Sequence, residues 1–90
     1  PNPFNPITTI HFTVFSRQST VHSPILTSLR IYNILGETVK TLVDEFKGKG
    51  SYTVVWDGKD DKGEEVASGI YFYRLKSGEF SEAKKMLLLR

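Results

Sequence analysis

The sequence predicts an all-β domain built as a two-sheet antiparallel sandwich, and three observations predict it. Apolar residues alternate with polar ones over short stretches, as where Ile10, Phe12 and Val14 are set between Thr9, His11 and Thr13. That period of two buries one face of a strand. Turn residues recur between such stretches at fairly even spacing. No stretch carries a convincing helical period. The nearest, "VKTLVDEFKGKG" from Val39, is rich in β-branched residues and ends in glycines, which oppose a long helix. Six or seven short strands at regular spacing close into two packed sheets.

Taken in order, residues 1–8 form a lead-in. Its "PNPFNP" holds three prolines, which fix φ and remove ladder donors, so the segment is extended or turn-rich. Phe4 is expected to tuck onto the body. The opening reads as the cut edge of a longer secreted protein, leaving residues 1–90 as a single domain. The first strand begins at Thr9. Ser16–Pro24 is polar and irregular, a loop. Leu29 and Ile31 alternate with Arg30 and Tyr32 in a second strand. Asn33 and Gly36 bracket a tight connection, with Gly36 as the positive-φ position of a bulged hairpin. Val39–Val43 returns, and Asp44–Gly50 reads as a charged loop. Tyr52, Val54 and Trp56 share one face of the next strand. An acidic loop spans Asp57–Ser68, Ile70–Lys76 is a strand, the chain turns at Ser77-Gly78, and Phe80–Leu89 is the last strand.

Composition narrows the function classes. A chain of 90 residues buries roughly 60–65% of its unfolded surface, a thin but adequate core. Its net charge of +2 is too weak to argue for nucleic acid or an anionic membrane. The charge is uneven, however: five acids against two lysines in Asp57–Glu65, and five bases against two acids in Arg74–Arg90. With no cysteine, a disulfide scaffold and a thiolate metal site are excluded. No run approaches the ~18 apolar residues of a membrane helix.

The acidic loop is the first candidate site. A calcium loop of the EF-hand kind needs oxygens at alternate positions and glycine sixth. Counted from Asp57, the third position is Lys59 and the sixth is Lys62, so the pattern fails. A looser calcium site on Asp57, Asp60 and Asp61 is one reading. Two successive turns at Asp57-Gly58 and Asp61-Lys62-Gly63 are the other, and under that reading Asp60→Ala matters little. A glycosidase pair needs two carboxylates held on rigid elements with separated pKa values, which one lysine-studded loop does not supply. The glycine needed two residues before Ser68 in a nucleophile elbow is Val66. His11 and His22 read as strand and loop residues, and no phosphate loop follows Gly48 or Gly50. No cofactor is implied.

The second candidate is "SGIYFYRL", which sets Tyr71, Tyr73 and Leu75 against Ile70, Phe72 and Arg74. A flat aromatic ledge stacks on sugars. A tyrosine corner of an immunoglobulin-like sandwich also starts this way, with the tyrosine hydroxyl bonded back to backbone and the residue two further on in the core. Tyr71 fits the corner, Tyr73 and Trp56 the core, while Phe72, Phe15 and Phe46 are the better exposed aromatics. In "KKMLLLR", Met86 and Leu88 face the core and Leu87 and Leu89 the other side. The lysines either guard a sheet edge or belong to a recognised tail.

Four stretches in order, "PNPFNPITTIHF", "LRIYNILGETVKTLVDE", "WDGKDDKGEEVASGIYFYRL" and "KKMLLLR", together resemble the C-terminal sorting domains of the type IX secretion system. These are similar in turn to the immunoglobulin-like domain of the flagellar hook-capping protein. The resemblance implies an immunoglobulin-like antiparallel β-sandwich of about seven strands. It implies a non-enzymatic sorting domain, carried by a catalytic or adhesive parent domain N-terminal to it and recognised by outer-membrane secretion machinery. The parent would be secreted or held at the cell surface. The recognition residues carried over are Gly78, Lys84, Lys85, Met86, Leu87, Leu88, Leu89 and Arg90. An accessory carbohydrate-binding or spacer module of a secreted hydrolase is the other reading. The stretch "FSRQSTVHSPILTS" is longer than the family's usual connection between its first two strands.

Overall fold

A computed structural model describes residues 7–15 and 23–90. The lead-in "PNPFNP" with Phe4, and residues 16–22 with His22, lie outside the described residues. Six strands form: β1 (Thr8–Val14), β2 (Ile25–Tyr32), β3 (Thr38–Lys47), β4 (Gly50–Trp56), β5 (Gly69–Ser77) and β6 (Phe80–Leu88). The expected count of about seven is therefore six among the described residues. Every pairing is antiparallel, in a two-stranded sheet β1-β4 and a four-stranded sheet β3-β2-β5-β6. Among the described residues no helix is long and apolar enough to cross a membrane.

The period-two faces meet between the sheets. Ile10, Phe12 and Val14 of β1 and Trp56 of β4 pack with Leu29, Ile31, Val43, Tyr71, Leu75 and Leu88 of the larger sheet. Trp56 is 1% exposed and meets the Tyr71 ring edge-on, with centroids 5.4 Å apart. Thr27 and Ser77 are buried polar residues on paired strands, and their hydroxyls bond each other at 3.0 Å. The buried pair is tolerated because both hydroxyls are bonded: Thr27 Oγ1–H donates to Ile25 O at 2.9 Å, which leaves Ser77 Oγ–H to donate to Thr27.

One boundary differs from expectation. Asp44–Lys47, read as loop, extends β3, because Glu45 and Phe46 take register partners Thr27 and Leu26 on β2. β3 is an edge strand, so its charged side chains stay solvated. Asp44 pairs with Arg30 at 3.4 Å and Glu45 with Lys47 at 3.0 Å. Two register shifts bulge the β2–β3 ladder, between Leu29 and Arg30 and between Ile31 and Tyr32.

The β5–β6 hairpin turns at Gly78-Glu79. Gly78 has φ +58, and among the described residues none other than glycine has positive φ. That sign pattern is the one a two-residue type II′ turn requires. The Gly78 N–H donates to Leu26 O at 3.2 Å, and a Cβ there would lie 3.3 Å from Ile25 Cγ2. Gly78 thus seats the hairpin tip on β2.

Candidate functional site

The residues carried over as a recognition segment divide by the pleat of β6. Successive side chains point to opposite faces, so Met86 is half-buried against the core and Leu88 is 2% exposed. Leu87 and Leu89 are 62% and 68% exposed, and Lys84 and Lys85 are also exposed. Lys84 pairs with Glu82 at 3.3 Å. Gly78 stands at the opposite end of the strand. At ~3.3 Å per residue it lies about 30 Å from Leu88, and its contacts are with β2. The exposed set is therefore Lys84, Lys85, Leu87 and Leu89, joined on the outer face by Ile70, the register partner of Leu87.

Arg90 takes a role that its place in the tail did not suggest. Its backbone N–H donates to Ser68 Oγ at 2.9 Å. Its guanidinium donates to Val66 O and Gly58 O and pairs with Glu65 at 3.5 Å. A planar fork with several fixed donors suits such a multi-point grip. Arg90 therefore fastens the acidic loop to the end of β6.

The acidic loop spends its carboxylates on backbone. Asp57 Oδ1 accepts from Lys59 N–H at 3.1 Å. Asp61 Oδ1 accepts from Thr41 N–H at 3.1 Å, and the Asp61 N–H donates to Val39 O. Asp60 Oδ1 accepts from both Lys62 and Glu64 N–H at 2.9 Å. The structure does not gather Asp57, Asp60 and Asp61 around a common point. Among the described residues no group of three His, Asp or Glu is placed to hold a metal ion.

Asp60 belongs to a motif that occurs twice. In "NILGE" Asn33 Oδ1 accepts from Leu35 and Glu37 N–H, Gly36 N–H donates to Asn33 O, and Asn33 N–H donates to Glu37 O. In "DDKGE" Asp60, Lys62, Gly63 and Glu64 repeat each bond. The glycines match, with φ +81 and +84. The repeated spacing, Asn or Asp followed by two residues and Gly-Glu, is the sequence signal for the shared motif. Asp60→Ala orphans two amides, so it is expected to lower stability by ~1 kcal/mol, more than a bare turn would imply. Asp60→Asn, which copies Asn33, is expected to be near neutral. Melting curves of both variants with and without calcium check this, with no calcium-dependent shift expected.

The aromatics separate in the same way. The Tyr71 hydroxyl donates to Ala67 O at 2.7 Å, the expected corner bond. Tyr52 repeats it on Gly48 O at 2.7 Å while stacking on Phe12, a second corner that the sequence reading missed. Tyr73 is half-buried against the core. Phe46 and Phe15 are exposed, and Phe15 meets Phe80 edge-on at 5.0 Å. Phe72 is half-buried beside its register partner Tyr32, in an outer-face groove of about 400 Å³ that Arg74 and Lys76 also line. His11 bonds Thr53 across β1 and β4.

No curated protein and no solved structure gives a significant match to the chain. A family model described as the FlgD Ig-like domain matches residues 13–79, most of the 90 residues. That span runs from the end of β1 through β5 and its turn, taking in both corner tyrosines and both copies of the twin loop motif. The chain belongs to the FlgD Ig-like domain family.

Proposed function

We propose that this domain is a non-catalytic sorting domain of the type IX secretion kind. It directs a parent protein, attached N-terminal to it, through the periplasm and across the outer membrane to the cell surface. It acts by protein–protein recognition, its partner being the outer-membrane machinery. One observation carries the reading beyond the resemblance. Lys84, Lys85, Leu87 and Leu89 form an exposed apolar and cationic strip on an edge strand and take no part in the core. Exposed apolar residues rimmed by charge suit a docking surface.

Deleting residues 84–90 would not test this cleanly, because Leu88 is core and Arg90 fastens the acidic loop. The suitable variant replaces Lys84, Lys85, Leu87 and Leu89 by serine and leaves Met86, Leu88 and Arg90. Fused to a reporter, the wild-type domain is expected to bring it to the surface. The variant, with an unchanged melting temperature, is expected to strand it in the periplasm. Equal export of the two would sink the sorting reading. An accessory glycan-binding module is the second reading, favoured by the Tyr32–Phe72 groove, and it requires retention on insoluble polysaccharide that Phe72→Ala abolishes.

A further inference from the structure

The two edges of the four-stranded sheet are unlike. β3 is interrupted by two bulges, a device that spoils an edge for pairing. β6 is nine residues long, has no proline, and keeps unbroken register with β5 from Gly69↔Leu88 to Ser77↔Phe80. Ser81 to Lys85 are exposed on both faces of the strand, so nothing among the described residues covers this edge.

The hairpin fixes which backbone groups are free. A two-residue turn closes on a hydrogen-bonded pair, here Ser77 and Phe80, and such pairs recur at every second residue. Gly78 N–H bonds Leu26 O on the β2 side, which agrees with that phase. Phe80, Glu82, Lys84 and Met86 therefore bond β5. Ser81, Ala83, Lys85 and Leu87 turn their N–H and C=O groups to the open edge.

We propose that β6 pairs antiparallel with β6 of a second copy, about a two-fold axis through Ala83. Among registers centred from Glu82 to Lys85, the charges select this one. A two-fold axis perpendicular to the sheet keeps each side chain on its own face, so a residue meets one of the same parity. Centred on Ala83, Glu82 faces Lys84 of the second copy, twice, by symmetry. Ser81 then faces Lys85, and Phe80 faces Met86. Centring on Glu82, Lys84 or Lys85 instead sets like charges opposite one another, which is destabilising. The lysines that would repel an unrelated basic edge become complementary to this one. Ala83 at the axis forms the hydrogen-bonded pair, and Glu82 and Lys84 form the closer, non-hydrogen-bonded pairs on either side. The product is a continuous eight-stranded sheet across two copies. A single strand pair buries less than the ~1,200 Å² of a standard interface, so the dimer is weak and reversible. It is independent of the sorting reading, because its readout is mass alone.

Sedimentation equilibrium over roughly 10 µM to 1 mM, the range in which so small an interface titrates, tests it. The wild type is expected to pass reversibly from monomer to dimer. Lys84→Glu alone and Glu82→Lys alone are each expected to remain monomeric at the highest concentration. An equimolar mixture of those two variants is expected to dimerise again, since each supplies the charges the other lacks. The double exchange within one chain should also restore pairing. Ala83→Pro removes an outward-facing N–H that β5 does not use, which an edge strand tolerates, and is expected to fold and stay monomeric. A wild type monomeric at ~1 mM overturns the proposal, even if its edge captures some other strand. Dimerisation of the single charge variants, or failure of their mixture to recover it, overturns it equally.

Discussion

Trp56→Ala is expected to destabilise the domain by ~3–5 kcal/mol, a large part of the roughly 5–15 kcal/mol available to a small domain. At about 4–8 °C per kcal/mol for a chain of this size, the melting temperature falls far enough to leave much of it unfolded near physiological temperature. The indole is 1% exposed and is the largest fully buried side chain. It comes from the two-stranded sheet, the thinner layer, where few neighbours can shift to fill the space. It also works locally. Nε1–H donates to Lys59 O at 2.9 Å, so the ring holds the first turn of the acidic loop as well as the core. Trp56→Phe keeps part of the volume and loses that bond, so its loss should be smaller than that of the alanine variant. Urea and thermal melts of the two variants measure the difference. An unchanged melt of the alanine variant would remove Trp56 from the core.

Much of the fold was legible because the strand signal is local. Ile10, Phe12 and Val14 stand two apart, and all three are buried. Gly36 was readable from Asn33 and the flanking pattern, and Tyr71 from the glycine two residues before it. Several of the misses share a cause, which is partnership at long sequence separation. Asp44–Lys47 looks like loop by composition and becomes strand because Ile25–Ser28 lie beside it. Gly78 reads as a turn glycine, yet its crowding comes from Ile25, far away in sequence. The candidate site was legible to the level of side-chain direction. The pleat separated Met86 and Leu88 from Leu87 and Leu89 correctly. It could not separate Arg90 from the exposed lysines, since nothing in "KKMLLLR" names Gly58 or Val66 as its acceptors.

Arg90→Ala follows from that miss and is expected to cost about 1.5–3 kcal/mol, the range for hydrogen bonds to a charged group. Its side chain is only 21% exposed. It spans from the end of β6 to two carbonyls that stand on opposite limbs of the acidic loop, at Gly58 and Val66. Those limbs are themselves joined, by the Val66 N–H bond to Gly58 O and the bridge between Lys59 and Glu65. Losing the guanidinium therefore loosens both ends of the loop, including the turn that receives the Trp56 indole. Salt distinguishes the components. The partner Glu65 is 56% exposed, so that ion pair is worth little and is screened at high ionic strength. The carbonyl bonds are not, and most of the loss should persist at ~1 M salt, where the Debye length is ~3 Å. Arg90→Lys keeps the charge without the fork and should recover only part of the stability. Equal melting of wild type and Arg90→Ala at low and high salt would show that the clamp contributes nothing. If the loss appears, export measured on an Arg90 variant reports folding before it reports recognition, and the recognition surface is left to Lys84, Lys85, Leu87 and Leu89.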